Sequence, residues 1–149
     1  LAEKCPHLKI DRAIEEGEGS LDDRLFYQQF PGIYIPSLQG ADPLNEVVFY
    51  HPESRSTIVT DTAFYFNAES SFLTRIIAKA IGSYDRLQVT ILEKWLIKDK
   101  SEVEAAIRGV LAWDFDRVIM AHGVPIEHGG KSMLKAGYEW LLETTFNEV

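Results

Sequence analysis

A single cysteine, Cys5, is all the thiol chemistry the chain carries. One thiol cannot close an internal disulfide, and it excludes a zinc site built from clustered cysteines. Both facts fit a reducing compartment, so a cytoplasmic location is expected. Long apolar runs are also missing, which leaves no segment of bilayer-spanning length and no expected membrane partner. Cations are scarce: 15 Lys and Arg stand against 23 Asp and Glu, a net charge of −8. That excludes a general nucleic-acid surface, which needs clustered cations against phosphates. The acidic residues are scattered apart from Glu15, Glu16 and Glu18, and they read as solubility. Serine-hydrolase chemistry is excluded as well. No G-x-S-x-G elbow occurs, and the serines beside Glu69 have no glycine framing.

What remains is the material of one globular domain. At 149 residues the chain can bury roughly 68–70% of its unfolded surface. The stretch that organises it is 117–130, RVIMAHGVPIEHGG. A β-branched, apolar run at 118–121 reads as a buried strand, and it ends in His122-Gly123. Gly129 and Gly130 follow and permit backbone angles that other residues avoid. A second run, 56–61, STIVTD, has the same grammar, a buried strand ending in a carboxylate, Asp61. An imidazole and a carboxylate at the ends of buried strands are where α/β proteins tend to present chemistry. Asp61 and His122 are therefore expected to meet.

The rest of the chain reads as mixed α and β. Residues 1–10 start mid-pattern, with a break at Pro6 and a short strand at 8–10, and this predicts further structure upstream. The acidic EEGEG reads as a loop. Runs 24–30 and 33–38 are β-prone and are separated by Pro31-Gly32; Pro36 confines the second run to an edge or an irregular strand. Residues 40–45 read as a loop. The strand at 46–51, EVVFYH, and the run at 56–60 are joined by so short a turn that they make an antiparallel hairpin. Phe72, Leu73, Ile76, Ile77 and Ala80 then fall at helical spacing, with Gly82 as the stop. Leu87, Ile91 and Trp95 predict a second helix. Ser101 and Glu104 suggest a capping box for a third, whose apolar stripe is Val103, Ala106, Ile107, Val110 and Leu111. A last helix spans about 131–146, with Met133, Leu134, Gly137, Trp140 and Leu141 on its buried face. The helices can cover one face of a mixed sheet.

Three stretches carry a family resemblance: EVVFYHPESRSTIVTD, AWDFDRVIMAHGVPI and the closing AGYEWL. Over about residues 25–142 the chain resembles the C-terminal half of the metallo-β-lactamase-like fold, in an uncharacterised branch of that superfamily. The resemblance implies an αββα sandwich of which this chain supplies the second half. It implies a metal-dependent hydrolase acting on a small-molecule substrate, with Asp61 as the bridging metal ligand and His122 as the last ligand. The cofactor implied for a complete relative is zinc or another divalent metal. The superfamily's HxHxDH motif is absent here: the four histidines are His7, His51, His122 and His128, and no two stand one residue apart. A catalytic zinc takes three protein ligands plus water. Two residues supply half a site, so this chain alone is expected to hold no metal and to be inactive. The alternative from a different class is a metal-free binding or scaffold domain that keeps the fold. Either way a missing N-terminal half or an oligomer partner is expected to cover the inner sheet face, through residues such as Val47, Phe49, Ile58 and Val118.

Other polar residues have blander readings. His51 beside Pro52 reads as a turn histidine bonded locally, although it could line the site. His128 reads as exposed, and Ser54-Arg55 as a surface turn rather than an anion site. Trp95, Trp113 and Trp140 read as core. Cys5 has no visible base partner and is no nucleophile.

Overall fold

The computed structural model describes residues 14–37, 40–43, 46–87, 94 and 96–147. Cys5, the expected strand at 8–10, and Ile91 and Trp95 of the expected second helix lie outside them. The strands are β1 (Glu18–Asp22), β2 (Leu25–Phe30), β3 (Tyr34–Ser37), β4 (Gly40–Pro43), β5 (Glu46–His51), β6 (Ser56–Val59) and β7 (Arg117–Met120). The helices are α1 (Phe72–Ile81), α2 (Lys100–Leu111) and α3 (Gly130–Leu142). Five strands form one mixed sheet in the order β1-β2-β5-β6-β7; β3 and β4 form a separate ribbon. Two expectations are corrected here. Glu18 and Gly19 of the acidic loop belong to β1, and residues 40–43 pair with β3 instead of looping. Pro36 sits in that two-stranded ribbon, where a residue without an N–H is tolerated.

The hairpin β5–β6 is antiparallel, as its short turn requires, with Tyr50 opposite Thr57. β6 then runs parallel to β7, with Val59 beside Met120. A parallel pair needs a long crossover, and the segment holding α1 and α2 supplies it. Alternation along β5 puts Glu46, Val48 and Tyr50 on the buried side. Their partners on that face are Phe30, Val59, Val118 and Met120, covered by Val103, Ile107 and Val110 of α2 and Leu134, Tyr138 and Leu141 of α3. The Phe30 and Tyr138 rings tilt together at 5.8 Å in this layer. On the opposite face Phe49, Ile58 and Ile119 align in register across three strands. Ile58 is 37% exposed there and Val47, Phe49 and Ile119 are half-buried. Val118 does not belong to this open face as expected. It pairs with Thr57 rather than Ile58, so its side chain points into the helix layer and is fully buried.

The helices bring further corrections. α1 forms where the spacing predicts it, capped by Ser71, whose Oγ accepts from the Thr74 N–H, and stopped at Gly82 in the left-handed region (φ 85°). Its apolar stripe nevertheless faces outward. Phe72 is 72% exposed, Leu73 66%, Ile76 50% and Ile77 52%, while Ala78 on the reverse side is buried. α1 therefore covers no sheet face. α2 is capped by Asp99, whose carboxylate accepts from the Ser101 and Glu102 N–H groups. Its two backbone donors make a better N-cap than the Ser101–Glu104 box, and Glu104 instead pairs with Arg108 one turn on. α3 ends at Leu142, because Glu143 turns into the left-handed region. Phe146 still packs into the core from beyond that end, whereas Trp140 is 37% exposed and is not a core residue. Trp113 packs against the core as expected, stacked on Tyr50 at 5.3 Å.

Candidate functional site at the ends of β6 and β7

Asp61 and His122 each lie two residues past the end of a strand, and those strands are parallel neighbours in register at Val59 and Met120. Equal overhangs from registered parallel strands must finish side by side. The Ala121 N–H donates to Val59 O at 3.1 Å and carries the pairing one step beyond the ladder. His122 Nε2 stands 3.5 Å from Asp61 Oδ1. The side chains are 63% and 41% exposed, respectively, so solvent and ligands reach both. The Phe64 ring lies nearly parallel to the imidazole, 6.2 Å between centroids. The expected meeting of the two strand ends is observed.

Each half of the pair is held by its surroundings. On the aspartate side, Glu46 Oε1 accepts from the Thr60 N–H at 2.8 Å and from the Thr62 hydroxyl at 3.2 Å. Tyr138 of α3 donates its phenol to Thr62 O at 2.9 Å. On the histidine side, Gly123 bridges to Tyr65, and the Val124 N–H donates to Tyr65 O at 2.9 Å. Tyr65 in turn donates its phenol to Asp85 at 3.1 Å. Burial, and then the Asp85 carboxylate, push the Tyr65 phenol above its ordinary pKa. It stays a neutral hydrogen-bond donor at neutral pH. A cleft lined by Tyr65, Asn67, Pro125, Ile126 and His128 opens beside this loop.

The remaining candidates lie elsewhere. His51 ends β5 opposite Ser56, the first residue of β6. It is therefore at the far end of the sheet from Asp61 and does not line the pair. Its Nδ1 meets Ser54 Oγ at 2.8 Å, the local bond expected of a turn histidine. Arg55 spends its guanidinium on Asp114 at 2.8 Å, and its carbonyl accepts from the Asp116 and Arg117 N–H groups. It fastens the hairpin to β7. His128 is exposed and bonds Asp116 at 3.0 Å. That bond, followed by the Gly129 N–H, holds the Asp116 carboxyl below the usual range. A lowered carboxyl contributes stability that is present above its unfolded pKa and is lost as pH falls through the folded value. Asp116→Asn should therefore lower the urea midpoint near pH 7, change it least below the folded carboxyl pKa, and so flatten the acid-side decline. An unchanged acid limb would remove Asp116 from the account.

Several residues around the pair escaped the sequence reading, among them Glu46, Thr62, Phe64, Tyr65 and Tyr138. Glu46 left a trace. It falls in period-two register with Val48 and Tyr50 in EVVFYH, which puts a carboxylate on the buried face, where it is 5% exposed. A charge in that register needs a partner.

The spacing of the pair suits an ion pair and suits two ligands of one metal equally. At 3.5 Å its donors are too far apart for a good hydrogen bond. Tetrahedral ligands about 2.0–2.2 Å from one zinc stand about 3.3–3.6 Å apart. No group of three or more His, Cys, Asp or Glu that could hold a metal occurs among the described residues. No family model and no curated protein matches the chain.

Proposed function

We propose that this chain is the C-terminal half of a metallo-β-lactamase-like metal-dependent hydrolase, with Asp61 and His122 as its share of the metal ligands. The observation that carries the reading is the solvent-accessible carboxylate–imidazole pair, 3.5 Å apart, at the ends of two registered parallel strands. The open apolar file of Phe49, Ile58 and Ile119 supports the fold side of it. In a two-sheet sandwich such a face packs against a second sheet. A divalent metal bound at the pair would lower the pKa of a water toward neutrality and supply hydroxide for an ester, thioester, amide or phosphoester. Asp61 would contribute an oxygen donor to such a metal, and His122 a nitrogen donor. The Phe64 ring lies beside the imidazole, nearly parallel to it, at 6.2 Å between centroids. The substrate is a small molecule that reaches the open edge of the sheet.

Zinc uptake tests the reading. Two protein ligands leave most of the coordination to water, so the isolated chain should bind zinc weakly and lose it on dialysis. Titration with zinc against a competing indicator should show weak uptake that disappears in both Asp61→Ala and His122→Ala. Uptake indifferent to both substitutions would overturn the assignment. A second reading is a metal-free binding or scaffold domain, favoured by the direct approach of Asp61 to His122. An ion pair with protonated His122 uses the same geometry without a metal, and complete absence of zinc uptake would select it.

A further inference from the structure

Asp61 sits between two residues that are clamped, and the clamp is built from buried groups. Glu46 is 5% exposed, Thr62 1% and Tyr138 fully buried. One oxygen of Glu46 takes the Thr60 N–H from one side of Asp61 and the Thr62 hydroxyl from the other. The Tyr138 phenol takes the carbonyl of Thr62. β5 and α3 thus grip the same turn from two directions, and the side chain between the grips points at His122. A buried carboxylate is costly unless its hydrogen bonds are made. Glu46 makes them to the turn that presents Asp61.

We propose that Glu46 is a positioning residue for Asp61, acting through Thr60 and Thr62, with Tyr138 completing the clamp. This rests on the reading of Asp61 and His122 as a working pair. The arrangement fixes the Asp61 backbone without occupying its carboxylate, which stays directed at His122. Outer-shell groups that orient ligands cost about 10–100-fold in metal affinity when removed. Glu46→Gln keeps an oxygen that can accept from both donors, whereas Glu46→Ala removes the acceptor. Thr62→Val removes one donor at nearly constant volume, and Tyr138→Phe releases the third contact.

The experiment reads two quantities on the whole chain: the ring nitrogen resonances of His122 at one fixed pH, and zinc affinity by competition. Asp61→Asn should displace the His122 resonances and abolish zinc uptake. Glu46→Ala and Thr62→Val should reproduce most of that displacement and weaken zinc by about 10–100-fold. Glu46→Gln should restore both toward wild type. A purely structural Glu46 would lower the urea midpoint without moving the His122 signals of the folded chain. If Asp61→Asn itself leaves His122 and zinc unmoved, the pair reading fails. If Asp61→Asn moves both while folded Thr62→Val and Glu46→Ala move neither, or if glutamine gives no rescue, the positioning proposal alone is overturned. Should Glu46→Ala not fold, Thr62→Val and Tyr138→Phe decide the matter by the same two readouts.

Discussion

Gly123→Ala should be among the most damaging single substitutions in this chain. Gly123 has φ 130°, in the region that side chains rarely adopt, and a Cβ there would fall on the carbonyl oxygen of Tyr65. The obstruction is backbone, so no rotamer relieves it. The Tyr65–Gly123 bridge and the Val124 N–H bond to Tyr65 O hold the two segments together at that spot. Backbone strain of this kind costs about 1–3 kcal/mol. Forcing an extra carbon into a packed contact adds about 1–3 kcal/mol. Gly40→Ala is the control, because Gly40 has φ 128° with nothing within 4 Å of the added carbon. Urea unfolding should show a loss at Gly40 from strain alone and roughly twice that at Gly123, with His122 displaced in the latter. Equal losses at the two positions would show that the contact with Tyr65 carries no weight.

The largest change in solution behaviour should come from α1. Its four outward side chains, Phe72, Leu73, Ile76 and Ile77, are each at least half exposed. Together they form a patch on the order of 400 Å², the size at which exposed apolar surface promotes association. The chain should bind a hydrophobic dye and self-associate with rising concentration. Leu73→Gln with Ile76→Gln should remove most of the dye signal. Glutamine keeps good helix propensity, and substitutions at exposed positions typically change stability by no more than about 0.5 kcal/mol each. The unfolding midpoint should therefore hardly move. A monomer without dye binding before the substitution would mean that this stripe attracts nothing, and a collapse of stability after it would mean that the stripe is buried in solution.

The contrast between these regions shows what could be read from the sequence. The hairpin, the last strand and the Asp61–His122 meeting were legible because β-branched runs ending in a polar residue constrain both burial and direction. Helical spacing at Phe72, Leu73, Ile76 and Ile77 revealed a helix with an apolar side, but periodicity is blind to which way that side turns. The N-cap was misread: Ser101 and Glu104 have capping-box spacing, but the Asp99 carboxylate has two backbone donors in reach. β1 and β4 hold too few apolar residues to announce themselves; they exist because neighbouring strands offer backbone partners. Glu46 was visible only as a charge in the wrong register. Its reason lies in Thr60 and Thr62, on another strand's overhang, and that pairing is tertiary information.

The parallel pairing of β6 with β7 also sets an order of assembly. β5 and β6 are joined by a tight turn and can zip within microseconds. β7 must close a long loop first, and the entropy of that closure is lost before its contacts form. The grip of Tyr138 on Thr62 spans 76 residues of chain. The hairpin that carries Asp61 is therefore expected to form before His122 arrives, while the Tyr138 grip on Thr62 closes with the last helix. Pulse-labelled hydrogen exchange should protect the Tyr50 amide before that of Ala121, and simultaneous protection would contradict this order. The meeting of the two side chains is thus expected to report a late stage of folding.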